Sequence, residues 1–178
     1  MKLVLLYGPP GVGKLTVGQL LSEKTGFSLM HNHLILNMLS EVFGFSSPVR
    51  KKLSREFRLR MIEEAAAHNV DLITTFGGVG QEYFNLYRQM IALVEKHGGE
   101  VILIRLTASE QVILHRIKEA SRKEHKKIMN EIDWKNNYAK HPGLFDIFPD
   151  REHMSIDTSE MSAEEVARRI AASFHSSQ

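Results

Sequence analysis

Residues 8–16 read GPPGVGKLT and lie between a continuous apolar run, Leu3 to Tyr7, and a segment in which Val17, Leu20 and Leu21 recur at helical spacing until Gly26. A glycine-rich break between a strand buried on both faces and a helix constrains the fold more than any other stretch of the chain. Such a strand belongs inside a parallel sheet with helices on both faces, so the rest of the sequence should repeat the strand-then-helix pattern.

It does. Phe27 to Met30 is a short second strand, followed by Leu34, Ile35, Met38, Leu39 and Val42 on one helical face, with a break at Gly44 to Pro48. Val49 to His68 predicts a charged helix whose apolar line is Leu53, Phe57, Met61 and Ala65 at i+4 steps. Val70 to Phe76 is a third strand, ended by Gly77-Gly78-Val79-Gly80, and the next helix carries Phe84, Tyr87, Ile91 and Val94 inward until Gly98-Gly99. Val101 to Leu106 is a fourth strand, after which Thr107 and Glu110 predict a capping box. Between Ala120 and Pro149 the periodicity degrades, and a mobile segment is expected at about 120–149. Met154 to Ile156 and a helix opened by Ser162 and Glu165 finish the chain. No internal repeat and no linker divides it, so a single domain spanning 1–178 is expected.

Composition excludes several alternatives. The 178 residues are 43% hydrophobic and 25% charged, as in ordinary globular proteins. Cysteine is absent, which rules out disulfides and thiolate metal sites. The opening apolar run stops at Tyr7, too short for a signal peptide, and no stretch approaches the ~20 apolar residues of a spanning helix. A cytoplasmic protein that meets no membrane is expected. Lys and Arg exceed Asp and Glu by 23 − 21 = 2 and form no long block, so a nucleic-acid partner is not expected.

A glycine loop between strand and helix turns successive backbone N–H groups inward around a phosphate, and the positive end of the helix dipole adds to them. Gly-x-x-x-x-Gly-Lys is the pattern of such a loop, with Lys14 reaching the β- and γ-phosphates. The residue after the lysine is usually Ser or Thr, whose hydroxyl ligates Mg²⁺. Here it is Leu15, and Thr16 comes one place later.

That arrangement resembles the adenylate kinase loop, in which a residue without a hydroxyl also follows the lysine and a threonine comes next. The resemblance implies that Gly8, Pro9, Pro10, Gly11, Val12, Gly13, Lys14, Leu15 and Thr16 form an ATP-binding loop, Gly8 to Lys14 around the β-phosphate and Thr16 at the α-phosphate. It implies Mg²⁺ carried with the nucleotide and held mainly through water, with no protein side chain as metal ligand.

Over most of its length the chain resembles the small P-loop kinases that include adenylate kinase, shikimate kinase and chloramphenicol phosphotransferase. The implied fold is an α/β three-layer P-loop NTPase sandwich with a five-stranded parallel sheet in the order 2-3-1-4-5. EQVILHRI, Glu110 to Ile117, is similar to the family helix whose last arginine, here Arg116, lies near adenine or phosphate. SRKEHKK, Ser121 to Lys127, stands where those kinases carry a lid arginine over the γ-phosphate, here Arg122, with a solvated helix face as its alternative. Where shikimate kinases have two aspartates, this chain has His31-Asn32-His33. Asn32 and His33 are expected to meet the acceptor, His33 as a neutral base, with local capping as the alternative. Phe57-Arg58 and the run Gly77-Gly78-Val79-Gly80 resemble acceptor-binding elements of shikimate kinases, which implies Arg58, Gly77 and Gly78 at the acceptor, although Arg58 and Arg60 have the alternative of facing solvent and the glycines that of a simple turn. The implied activity is transfer of the γ-phosphate of ATP to a small molecule or nucleotide by a monomer or homodimer. An NTPase or regulatory protein without a small-molecule acceptor, and a kinase acting on nucleic-acid ends, are the rivals.

Overall fold

The computed structural model describes residues 1–77, 80–118, 132, 135–136 and 145–174. Five strands form one sheet: β1 (Lys2–Tyr7), β2 (Ser28–Met30), β3 (Leu72–Phe76), β4 (Glu100–Thr107) and β5 (Met154–Asp157). All neighbours pair in parallel, in the order β2-β3-β1-β4-β5. The helices among the described residues include α1 (Lys14–Thr25), α2 (Asn32–Phe43), α3 (Pro48–Ala67), α4 (Gln81–Lys96), α5 (Glu110–Arg116) and α6 (Ala163–Ser173).

The continuous apolar run of β1 makes sense because successive side chains feed opposite faces of the sheet. Leu3, Leu5 and Tyr7 join a core with Ile35, Leu39, Ile62, Phe84, Tyr87 and Phe148 from the α2, α3 and α4 side. Val4 and Leu6 join a second core with Val17, Leu21, Ile113, Val166 and Ile170 from α1, α5 and α6. Phe148, inside the stretch 120–149, is buried in the first of these cores.

Three sequence expectations shift in register. Of the expected line on helix α3, Leu53 and Ala65 are only half-buried against the core. The helix's buried positions are Ser54, Arg58, Ile62 and Ala66, one residue on, while Phe57 and Met61 are exposed. The reason is that Arg58 finds partners inside the protein, described below, which a reading of apolar spacing has no means of counting. Strand β3 starts at Leu72, because Val70 N–H donates to the Ala65 carbonyl at 2.8 Å and Asn69, at φ 54°, closes α3. Thr107 is the last residue of β4, and the cap of α5 is Ser109, whose hydroxyl accepts from Val112 N–H. By contrast, Ser162 and Glu165 make the complete reciprocal capping box on α6.

Candidate functional site

The parallel register brings the carboxyl ends of β1 and β3 side by side, with Leu6 opposite Thr75 and Tyr7 opposite Phe76. The two loops that leave these ends, one from Gly8 and one from Gly77, therefore start as neighbours. In an open α/β sheet this edge is where ligands bind.

The loop from Gly8 to Gly13 is built on backbone conformations that side chains disfavour. Gly8, Gly11 and Gly13 have φ of 139°, 98° and 93°. A Cβ on Gly8 would stand 2.1 Å from the Leu106 carbonyl oxygen, and one on Gly11 would stand 2.8 Å from Ile113 Cγ2. The glycines thus let the loop lie directly on the end of β4 and on α5. Gly13 is the N-cap of α1 and brings no side-chain hydrogen bond to the first turn. Backbone N–H groups at such a helix start are suited to an anion. Lys14 Nζ donates to the carbonyls of Gly8 and Pro9, both at 2.7 Å, which holds its charge against the loop. Thr16 is exposed on the first turn of α1, and Leu15 is half-buried.

On the neighbouring strand ends a second cluster forms. Asn32 N–H donates to Thr75 Oγ1 at 3.0 Å, fixing the start of α2 to β3. Arg58 Nη2 donates to Asn32 Oδ1 at 2.8 Å, and the guanidinium lies 4.2 Å from the centre of the Phe76 ring. Arg58 is only 2% exposed, so the solvent-facing alternative does not hold for it. Burial pulls its pKa down to about 10, against the opposing influence of Tyr87 and Tyr83, and it stays a cation at neutral pH. A desolvated cation is costly, and here one hydrogen bond and one aromatic face offset the cost. Nη1 has no partner in the described structure. Arg60 does face solvent, paired with Glu63 and Glu64.

His31 caps α2: its Nδ1 accepts from Leu34 N–H at 3.2 Å, which requires that nitrogen to be unprotonated. His33 is half-buried in the first turn of the same helix. The local-capping alternative thus describes His31. Gly77 directly follows β3, whereas Gly78 and Arg122 lie outside the described residues.

Arg116, at the end of α5, donates from Nη1 to Thr158 Oγ1 at 2.9 Å and from Nη2 to the Thr158 carbonyl at 2.7 Å. Thr158 Oγ1 in turn reaches the Val12 carbonyl at 3.2 Å. Arg116 is thereby tied to the glycine loop through a residue that no motif flagged. Thr158 follows β5 and meets Val12 across 146 positions of sequence, so only the fold reveals it.

Among the described residues no group of three or more His, Asp or Glu side chains could hold a metal, and no helix is long and apolar enough to cross a membrane. The Leu15 side chain offers no oxygen either. The loop's N–H groups and Lys14 suit the phosphates of a nucleotide, on whose oxygens a cation would be carried.

A family model described as an AAA domain matches residues 4–139. No curated protein matches the sequence. Among solved structures, a sugar kinase from Janibacter sp. HTCC2649 superposes with a TM-score of 0.68 at 15% identity, covering 98% of this chain and 95% of that one. The tunicamycin resistance protein of Deinococcus radiodurans gives 0.64 at 19% identity, covering 97% and 95%. The APS kinase of Mycobacterium tuberculosis, in complex with AMPPNP and APS, gives 0.62 at 17% identity, covering 98% and 97%. The sheet order and these neighbours establish the fold of the small P-loop kinases.

Proposed function

This chain belongs to the AAA-domain family that its residues 4–139 match, and from that premise we propose that it is a phosphotransferase moving the γ-phosphate of ATP to a small-molecule or nucleotide acceptor. The observation that carries the reading is the loop at the end of β1. Its positive-φ glycines, uncapped α1 start and Lys14 ammonium come together directly after β1, beside a second polar cluster that joins the start of α2 and Arg58 of α3 to the end of β3.

In this reading the N–H groups of Gly8 to Lys14 and the Lys14 ammonium bind the phosphates, and Thr16 donates its hydroxyl to the α-phosphate. Arg116 lies toward the nucleoside, and Arg122 comes from a lid-like segment within 120–149 to meet charge that builds up on the transferring group. The acceptor sits against Asn32, His33, Gly77 and Gly78, with Arg58 beneath. As the acceptor oxygen bonds to the γ-phosphorus, the bond from that phosphorus to the β-phosphate oxygen breaks and ADP leaves. The hydroxyl proton passes to the neutral imidazole of His33. Mg²⁺ bound to the nucleotide would supply charge neutralisation on the phosphates. Positioning and charge stabilisation by the protein do the rest.

The test is a screen for phosphate transfer from ATP to nucleosides, nucleotides, sugars and antibiotics, run beside acceptor-free hydrolysis. Acceptor-dependent ADP formation that disappears in Lys14→Ala supports the kinase. Hydrolysis indifferent to every acceptor would favour an NTPase, and transfer only to oligonucleotide ends would favour a nucleic-acid kinase.

A further inference from the structure

We infer that Thr158 is a positioning residue for the phosphate loop: its buried hydroxyl fixes the Val12–Gly13 peptide so that the Gly13 N–H is available to a bound phosphate. The inference rests on the nucleotide-binding reading of the loop and adds a residue outside the motif.

Thr158 is 3% exposed, and its Oγ1 lies 3.2 Å from the Val12 carbonyl and 3.0 Å from the Thr107 carbonyl. A hydroxyl has one proton for these two acceptors. The Thr107 carbonyl already accepts the Thr158 N–H at 2.8 Å, so the Val12 carbonyl is the one that depends on the side chain. Arg116 Nη1 donates into the same oxygen, which orients the hydroxyl proton away from Arg116 and toward the carbonyls.

The anchor is itself held by hydrogen bonds. Asp157 accepts from Ser159 N–H and Ser159 Oγ accepts from Ser109 N–H, both at 2.8 Å, tying the turn after β5 to the start of α5. The loop needs such an anchor. The Val12 side chain is fixed in the core, but the peptide that follows it runs into Gly13 at φ 93°, and glycine offers little resistance to a peptide flip. In a planar trans peptide the carbonyl and the next N–H point in opposite directions. Holding the Val12 oxygen toward Thr158 therefore points the Gly13 N–H away from the β5 turn.

The experiment titrates ATP, and separately inorganic tripolyphosphate, into wild type, Thr158→Val and Thr158→Ser by calorimetry, at a temperature where circular dichroism shows all three folded. Thr158→Val should weaken both ligands by the same factor, about tenfold, while Thr158→Ser stays within about twofold of wild type, since it keeps the hydroxyl. Wild-type affinity in Thr158→Val, or a loss confined to ATP, overturns the inference, the latter because it would place the effect on the nucleoside side with Arg116. A loss in Thr158→Ser equal to that in Thr158→Val also overturns it. Should Thr158→Val fail to fold, the Gly13 amide resonance of wild type decides: it should shift on adding tripolyphosphate, and an unmoved resonance contradicts the inference. Wild type that binds neither ligand overturns the kinase reading and this one together, whereas binding that ignores Thr158 overturns this one alone.

Discussion

The loop after β1 and the cluster at the end of β3 stand on adjacent strand ends, yet they are made of different material. The loop is backbone: three glycines at positive φ, an uncapped helix start and one lysine, contiguous from Gly8 to Lys14. The neighbouring cluster is side chains collected from Asn32, Arg58, Thr75 and Phe76, which the fold alone brings together. A site made of backbone recognises what all its ligands share, whereas one made of side chains is free to change with the acceptor. The difference predicts that the two halves fail differently when altered.

The largest effect should come from Gly8→Ala. The new Cβ meets a carbonyl oxygen at 2.1 Å in a backbone conformation that alanine rarely adopts, so stability should fall by more than about 3 kcal/mol. Chemical denaturation measures it, and a loss below about 1 kcal/mol would show that the loop is not seated on β4 as described.

Next, Arg58→Met should separate the two halves. Asn32 loses its donor, so acceptor-dependent kcat/KM should fall about tenfold or more, while the Kd for ATP stays within about twofold. Stability should fall less than activity, because the substitution also removes a desolvated cation. Equal losses in ATP binding and acceptor turnover would erase the distinction between the halves.

A smaller effect is expected of Thr16→Val, which removes one exposed hydroxyl and should weaken ATP binding by about 1–3 kcal/mol without touching the fold. Unchanged affinity by calorimetry would remove Thr16 from the phosphate site.

The smallest effect lies beneath both halves, where Tyr7 packs edge-on against Tyr87 at 5.7 Å. Burial raises the pKa of both phenols, that of Tyr87 more strongly. Both are thus held neutral where the unfolded chain would begin to ionise, near pH 10. Their stabilising contribution is full below that pH and is lost as pH rises through it toward the folded values. Phenolate absorbance should show Tyr7 and Tyr87 ionising together with loss of the circular dichroism signal. Ionisation of both in a fully folded protein would contradict their burial.

The same division explains how much was legible in the sequence. Continuous apolar runs mark strands buried on both faces, and glycine spacing marks the loop, because both signals are local. The capping box at Ser162 and Glu165 is local too, and it stands as read. Helix α3 was misread by one residue because Arg58 is hydrophilic by type and becomes a core residue only through Asn32 and Phe76, neither of them near it in sequence. The cap at Ser109 was missed because β4 runs one residue further, to Thr107, than its apolar pattern. Thr158 carried no signal at all, since its partner Val12 stands at the other end of the chain.

The most direct test of the account is a calorimetric titration of ATP into wild type and Lys14→Ala. The ammonium that now rests on the Gly8 and Pro9 carbonyls is the loop's one side-chain cation. Wild type should bind ATP saturably, with inorganic tripolyphosphate competing, and Lys14→Ala should bind at least about tenfold more weakly, the loss expected for a charged hydrogen bond. Equal affinity in the two proteins, or no heat in either, would contradict the claim that this backbone loop is a phosphate site.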